Sequence, residues 1–156
     1  PEIAGQRRVF LDIKADALFA SGSAMPRDTA LPVLQQIAGV LRGNRHLVRI
    51  EGHTDSQPIR TLQYPSNWEL SAARASSVVR LFTQQGIDPG LMQVVGYGDT
   101  QPIADNATAS GRTANRRVVL VVSTRPASDI EATGVNPAEP EPTAPAPVPT
   151  ASGVSR

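Results

Sequence analysis

The chain has 156 residues, 15 Lys or Arg against 14 Asp or Glu, a net charge of +1 and no cysteine. Its length suits one packed domain rather than two, and the missing cysteine excludes a disulfide framework and thiolate metal sites while leaving the compartment open. All basic residues but Lys14 are Arg, which suits bidentate contacts to carboxylate or phosphate; a GC-rich coding sequence would leave the same bias.

Residues 1–8 (PEIAGQRR) have no periodicity and read as the end of a linker. With Pro rather than Met at its start, the chain is expected to be a piece of a longer precursor. A first strand is expected over residues 9–13, with residues 17–19 as a short continuation or second strand. After a Ser21-Gly22-Ser23 turn, Asp28 or Thr29 caps a helix that tolerates Pro32 in its first turn. Its apolar stripe is Leu34, Ile37, Ala38 and Leu41, and Gly43-Asn44 stops it. Residues 47–51 form the second strand, which delivers Gly52-His53-Thr54-Asp55 to its end. A loop over residues 56–66, with Pro58 and Pro65, leads to a second helix capped by Asn67 or Ser66. Glu69 sits in its positive first turn, and Gly86 ends it.

Asp88-Pro89-Gly90 reads as a turn, residues 91–95 as a third strand and Gly96-Tyr97-Gly98-Asp99 as a tight loop. Residues 104–114 are polar, with one helical turn near residues 111–115. Residues 118–123 are a continuous Val/Leu run that suits a central strand. The alternation predicts an α/β two-layer sandwich over residues 9–125, with two main helices packed on a small mixed β-sheet. From residue 126 to 156 there are seven prolines, four acidic groups against one basic, and almost no large apolar side chains. Such a segment cannot offset its ordering entropy and is expected to be a disordered tail. The longest apolar run, residues 118–122, is far short of the roughly 20 needed to cross a bilayer.

Two charges ask for a physical account. At about 100° per residue, Arg74 falls in the apolar stripe of the second helix with Leu70, Val78, Leu81 and Phe82. An inward guanidinium must find an anion. Asp55, at the end of the preceding strand, lies on the same edge of an α/β layer. A structural ion pair satisfies that arrangement. So does a site for a ligand that carries both ammonium and carboxylate, such as the free end of an amino acid. Arg116 and Arg117 reach this edge only if the last strand is antiparallel to its neighbour.

Asn67 is either a plain helix cap or a cap that also offers its amide to a ligand. Trp68 beside it is either packed or an exposed anchor. Glu51 and His53 share a strand face but lack zinc spacing. Gly96-x-Gly98 lacks the third glycine and the strand-to-helix context of a dinucleotide loop. No Gly-x-Ser-x-Gly elbow or Ser-His-Asp order appears, and the few aromatics are too scattered for a nucleic-acid platform. No catalytic residue, metal or cofactor is predicted.

The segment Gly52-His53-Thr54-Asp55, then Asn67-x-x-Leu70-Ser71-x-x-Arg74-Ala75-x-x-Val78-x-x-Leu81, resembles the signature of OmpA-like C-terminal domains. Gly96-Tyr97-Gly98, Pro102, Gly111-Arg112 and Asn115-Arg116-Arg117-Val118 extend the likeness over residues 9–123. The long loop, Ser66-Asn67-Trp68-Glu69-Leu70-Ser71 and Leu18-Phe19-Ala20-Ser21-Gly22-Ser23-Ala24 look most like the flagellar stator B subunits (MotB and its relative MotD). The resemblance implies a non-catalytic domain that binds peptidoglycan, as the periplasmic part of an inner-membrane protein in a Gram-negative bacterium. It further implies a homodimer, joined to an A-type membrane subunit through a missing N-terminal part, that anchors a motor stator. An OmpA/Pal-type envelope tether with the same ligand and no motor is the alternative.

By the same resemblance, Asp55 takes the ammonium of the stem-peptide diaminopimelate and Arg74 its carboxylate. Asn67 and Arg116 line that site, and Thr54 adds a hydroxyl or backbone contact. Ala20 stands where many relatives carry Asp, and Ser56 where Asn or Asp is commoner. The loop over residues 56–66 brings the adjoining glycan into consideration as ligand.

Overall fold

The computed structural model describes residues 7–126; residues 1–6 and 127–156, where most of the expected linker end and tail fall, lie outside the described residues. Strands β1 (Arg8–Lys14), β2 (His46–His53), β3 (Met92–Gly96) and β4 (Arg117–Pro126) form one mixed sheet in the order β1-β4-β2-β3. β4 is antiparallel to both neighbours, and β2 and β3 are parallel. The Val/Leu run therefore occupies the interior of the sheet, as its unbroken apolar character requires.

Alternate residues of β2 and β4 (Val48, Ile50, Val118, Leu120) pack with helices α2 (Leu31–Leu41) and α3 (Asn67–Gln84) in a single core. Leu34, Ala38, Ala75, Val78 and Phe82 are the helical contribution. Burial of a side chain such as Phe82 is worth on the order of 1.5–3 kcal/mol. A smaller core of Ala24, Tyr64 and Leu70, with Ile59 and Ala73 against it, pins the loop over residues 56–66 onto the first turns of α3. The architecture is the predicted two-layer sandwich. Among the described residues no helix is long and apolar enough to cross a membrane.

Several local expectations change. Residues 17–19 are not a strand: Ala15–Leu18 form a helical turn, α1, that buries Ala15 and Leu18 at helical spacing. Phe19 leaves it with one bridge to Pro26. Neither Asp28 nor Thr29 caps α2 with its side chain; a 3-10 turn, Asp28–Ala30, leads straight into the helix. Pro32 fits there because a first-turn residue has no N–H bond to lose. Gly43, at φ +85°, ends α2 as expected. Leu91 closes a 3-10 turn, so β3 begins at Met92. The expected single turn near residues 111–115 is a longer helix, α4 (Ala109–Asn115), because the Thr108 hydroxyl accepts from the Gly111 N–H at 3.0 Å and caps it.

Two glycines set where α3 lies. Gly52 and Gly96 face each other across the β2–β3 pair. A Cβ on Gly52 would come 2.1 Å from the Ser71 carbonyl oxygen, and one on Gly96 would come 2.8 Å from the Ala72 backbone nitrogen. Only bare backbone lets the start of α3 rest on the sheet this closely.

Candidate functional site

A cleft of about 500 Å³ opens where β2 ends, and Thr54, Asp55, Asn67, Arg74 and Arg116 all line it. The five candidate residues come from three separate segments. β2 carries the chain to Thr54 and Asp55, the start of α3 supplies Asn67 and Arg74, and Arg116 precedes β4. The antiparallel β2–β4 pairing brings Arg116 to this edge, the alternative that sequence left open. The cleft also takes in Asp16 from α1 and Arg27, which sequence reading had passed over.

Asp55 and Arg74 do not form the ion pair that one reading expected. The Asp55 partner is Arg116, whose Nη1 donates to Oδ2 at 2.6 Å, while Oδ1 accepts from the Gln57 N–H at 3.0 Å. Arg116 also donates to both carboxylate oxygens of Asp16, at 3.1 and 2.9 Å, and so bridges two carboxylates. Those hydrogen bonds raise the Arg116 pKa further above its usual range and hold the Asp16 carboxyl below its own. Arg74 satisfies its buried charge by another route. Its Nε and Nη2 donate to the carbonyls of Ser23 and Ala20 at 2.8 and 3.2 Å, and its guanidinium lies 5.2 Å from the Phe19 ring centre. Burial pushes its pKa down, and Asp16 acts against that. Arg74 Nη1 makes no hydrogen bond among the described residues.

Three guanidiniums (Arg27, Arg74, Arg116) and two carboxylates (Asp16, Asp55) thus share one cleft. That balance favours a ligand with both charges and an excess of negative ones.

The surrounding residues explain the motifs. Ser66, not Asn67, caps α3: its hydroxyl accepts from the Trp68 N–H at 3.2 Å and donates to the Glu69 carboxylate in a capping box. Asn67 instead donates its amide to the carbonyls of Gln57 and Asp55, at 3.0 and 3.4 Å, and braces the rim of the cleft. The Thr54 hydroxyl is turned to the Asp55 carbonyl at 2.9 Å, and its N–H donates to Gly98 at 2.8 Å. In Leu70-Ser71-x-x-Arg74-Ala75, leucine serves the small core, serine accepts from the Gly98 N–H at 3.0 Å, arginine enters the cleft and alanine packs in the main core.

In Asn115-Arg116-Arg117 the fully buried Asn115 amide makes four hydrogen bonds to Ile103, Ala104 and Asn106. The next two residues, where α4 gives way to β4, then diverge. Arg116 enters the cleft, and Arg117 donates to the carbonyls of Asn115 and Gln101 at 3.1 and 3.0 Å. Asp16 carried no sequence signal, because an acidic residue in a short polar-apolar stretch is unremarkable until the fold sets it beside Arg116.

His53 lies outside the cleft. It is buried, stacks on Tyr97 with ring centroids 4.9 Å apart, and sits 3.2 Å from Glu51, which also accepts from Arg49 at 2.9 Å. Burial pushes the His53 pKa down, opposed by Glu51 and assisted by Arg117. The unfolded chain therefore binds a proton here more readily than the folded one. That contribution to stability is fully present above about pH 6.5 and is lost as pH falls through the lower folded pKa. Urea midpoints should accordingly drop between pH 7.5 and 5.5, and His53→Phe, which keeps the stacking, should remove a clear part of that drop. A pH dependence identical to wild type would show that other groups cause it.

A family model described as the OmpA family matches residues 18–116. Motility protein B of Bacillus subtilis (strain 168) is 36% identical over 124 residues, which are 78% of this chain and 47% of that protein. Among solved structures, the cell wall anchor of the T6SS from Pseudomonas aeruginosa is 47% identical, with a TM-score of 0.71 over 74% of this chain and 80% of that one. The periplasmic domain of Helicobacter pylori MotB is 28% identical, with a TM-score of 0.68 over 79% of this chain and 86% of that one. The chain spans about half the length of the curated relatives it matches.

Proposed function

The chain belongs to the OmpA family, and on that premise we propose that it grips cell-wall peptidoglycan non-covalently and anchors a flagellar stator subunit to the wall. The observation that carries the reading is the single cleft in which Asp55, Arg74, Asn67, Arg116 and Thr54 converge with both signs of charge. The free end of a diaminopimelate side chain offers an ammonium and a carboxylate on one carbon. Asp55 and Asp16 suit the ammonium, and Arg74 Nη1 with Arg116 suits the carboxylate. No bond is made or broken in this reading.

Torque on an anchored machine is resisted when several such domains hold one polymer, so modest affinity per site is enough. A homodimer, placed in the periplasm and joined to an A-type membrane subunit through a preceding segment, provides that multiplicity. Relatives named for motility in Bacillus subtilis and Helicobacter pylori support the motor role, and the reading does not depend on which type of envelope surrounds the wall. A second reading has its own support: the 47% identical structure is the wall anchor of a secretion system. There the same grip serves a different machine or an envelope tether.

Co-sedimentation with insoluble peptidoglycan tests the grip. The protein should pellet with wall whose stem peptides carry diaminopimelate. With lysine-type wall, which lacks the side-chain carboxylate, binding should weaken by roughly tenfold or more, the worth of one charged hydrogen bond. Equal pelleting with both walls would remove the zwitterion from the account, and pelleting with neither would overturn the tether. Loss of swimming on gene deletion, with secretion intact, would favour the motor over the second reading.

A further inference from the structure

A second groove of about 530 Å³ adjoins the charged cleft, and Pro58, Ile59 and Asn67 line both. Its other walls include Arg60, Trp68 and Asp99. Trp68 is the only tryptophan of the chain and is 54% exposed. An indole left half in water forgoes burial that would stabilise the fold.

The backbone beneath the ring is nevertheless held in place. Its backbone N–H is capped by Ser66, and its carbonyl accepts from the Ser71 hydroxyl at 3.1 Å. The same hydroxyl accepts from the Gly98 N–H, so one side chain ties the helix turn beneath Trp68 to the loop beside it. Gly98, at φ +58°, backs the indole so closely that a Cβ there would come 3.4 Å from Cδ2. The backbone that carries the indole is thus fixed before any ligand arrives, and Gly98 supports one side of the ring.

The same groove is lined by Arg60, whose guanidinium only donates, and Asp99, whose carboxylate only accepts. A zwitterionic amino acid is already matched by the adjoining charged cleft, and an apolar ligand makes no use of Arg60 or Asp99. A pyranose ring, with C–H groups on its faces and hydroxyls and amides around its rim, uses all three. We infer that Trp68, Arg60 and Asp99 form a saccharide subsite that takes an amino-sugar residue of the glycan strand. The inference rests on the peptidoglycan reading. Stem peptides are bonded to the glycan, so a ligand whose peptide end enters the cleft brings its sugars to the shared Pro58-Ile59 rim.

The sole tryptophan makes the test direct, by fluorescence titration with a diaminopimelate tripeptide and with the disaccharide that bears the same tripeptide. The disaccharide form should change the Trp68 emission and bind about tenfold tighter than the tripeptide. Trp68→Ala, followed by tryptophan-free calorimetry, should lose that advantage and keep tripeptide affinity within about twofold, while Trp68→Phe keeps part of it. Loss of tripeptide binding in Trp68→Ala, or equal affinity of wild type for both probes, would overturn the subsite alone. Failure of wild type to bind the tripeptide would overturn the cleft reading, and the subsite with it.

Discussion

Gly52→Ala is expected to lower the melting midpoint by roughly 10 °C, equivalent to about 3 kcal/mol for a domain of this size. The added methyl would meet the Ser71 carbonyl oxygen at 2.1 Å, and that oxygen belongs to helix backbone that cannot rotate away. The start of α3 must then lift from β2, which opens the core around Ala75 and Val78 and displaces Asn67 and Arg74 from the cleft together. Gly39→Ala is the matched control. Gly39 lies on the exposed face of α2 with nothing within 4 Å of its would-be Cβ. There the same methyl should stabilise by about 0.5–1 kcal/mol through helix propensity. A calorimetric scan of both variants separates the effects. A Gly52→Ala midpoint within about 2 °C of wild type would show that helix seating does not depend on that contact.

How far sequence could see depended on the kind of interaction. Residues that act through periodicity were legible: the Leu34-Ile37-Ala38-Leu41 stripe, the inward Arg74 and the interior run of β4 each follow from apolar spacing. Residues that act through a partner distant in the chain were not. Arg116 meets Asp16 across 100 residues and Asp55 across 61, and the strand direction that unites them is set by the sheet as a whole. Of the two readings open for Asp55 and Arg74, the direct ion pair gives way to Arg116 as the Asp55 partner, and the two-charge site keeps both residues. Arg74 lies inward as its spacing predicts, with backbone carbonyls and not Asp55 as its hydrogen-bond acceptors. The carbonyls of Ala20 and Ser23 that receive it belong to a turn, and backbone acceptors leave no trace in residue identity. Asn67 shows a third limit. Two adjacent residues, Ser66 and Asn67, could both cap a helix, and only the realised dihedrals of Ser66 decide which does.

Asp55→Asn should leave a folded protein that loses at least about thirtyfold in affinity for diaminopimelate-type peptidoglycan, on the scale of one or two charged hydrogen bonds. The amide keeps the shape of the carboxylate and can still accept from Gln57, and Arg116 keeps both contacts to Asp16. What disappears is a negative charge at the place where the ligand ammonium is read. Arg74→Met should behave differently. It keeps much of the packing against Phe19 but strips the Ser23 and Ala20 carbonyls of their donors, so it should lose binding and about 2 kcal/mol of stability together. Thermal midpoints and pelleting, measured on the same preparations, distinguish a charge that serves the ligand from one that also holds the turn over residues 20–23. If Asp55→Asn pellets like wild type, ammonium recognition at Asp55 is wrong. If Arg74→Met melts like wild type, its two carbonyl contacts are incidental, and its burial then serves the ligand alone.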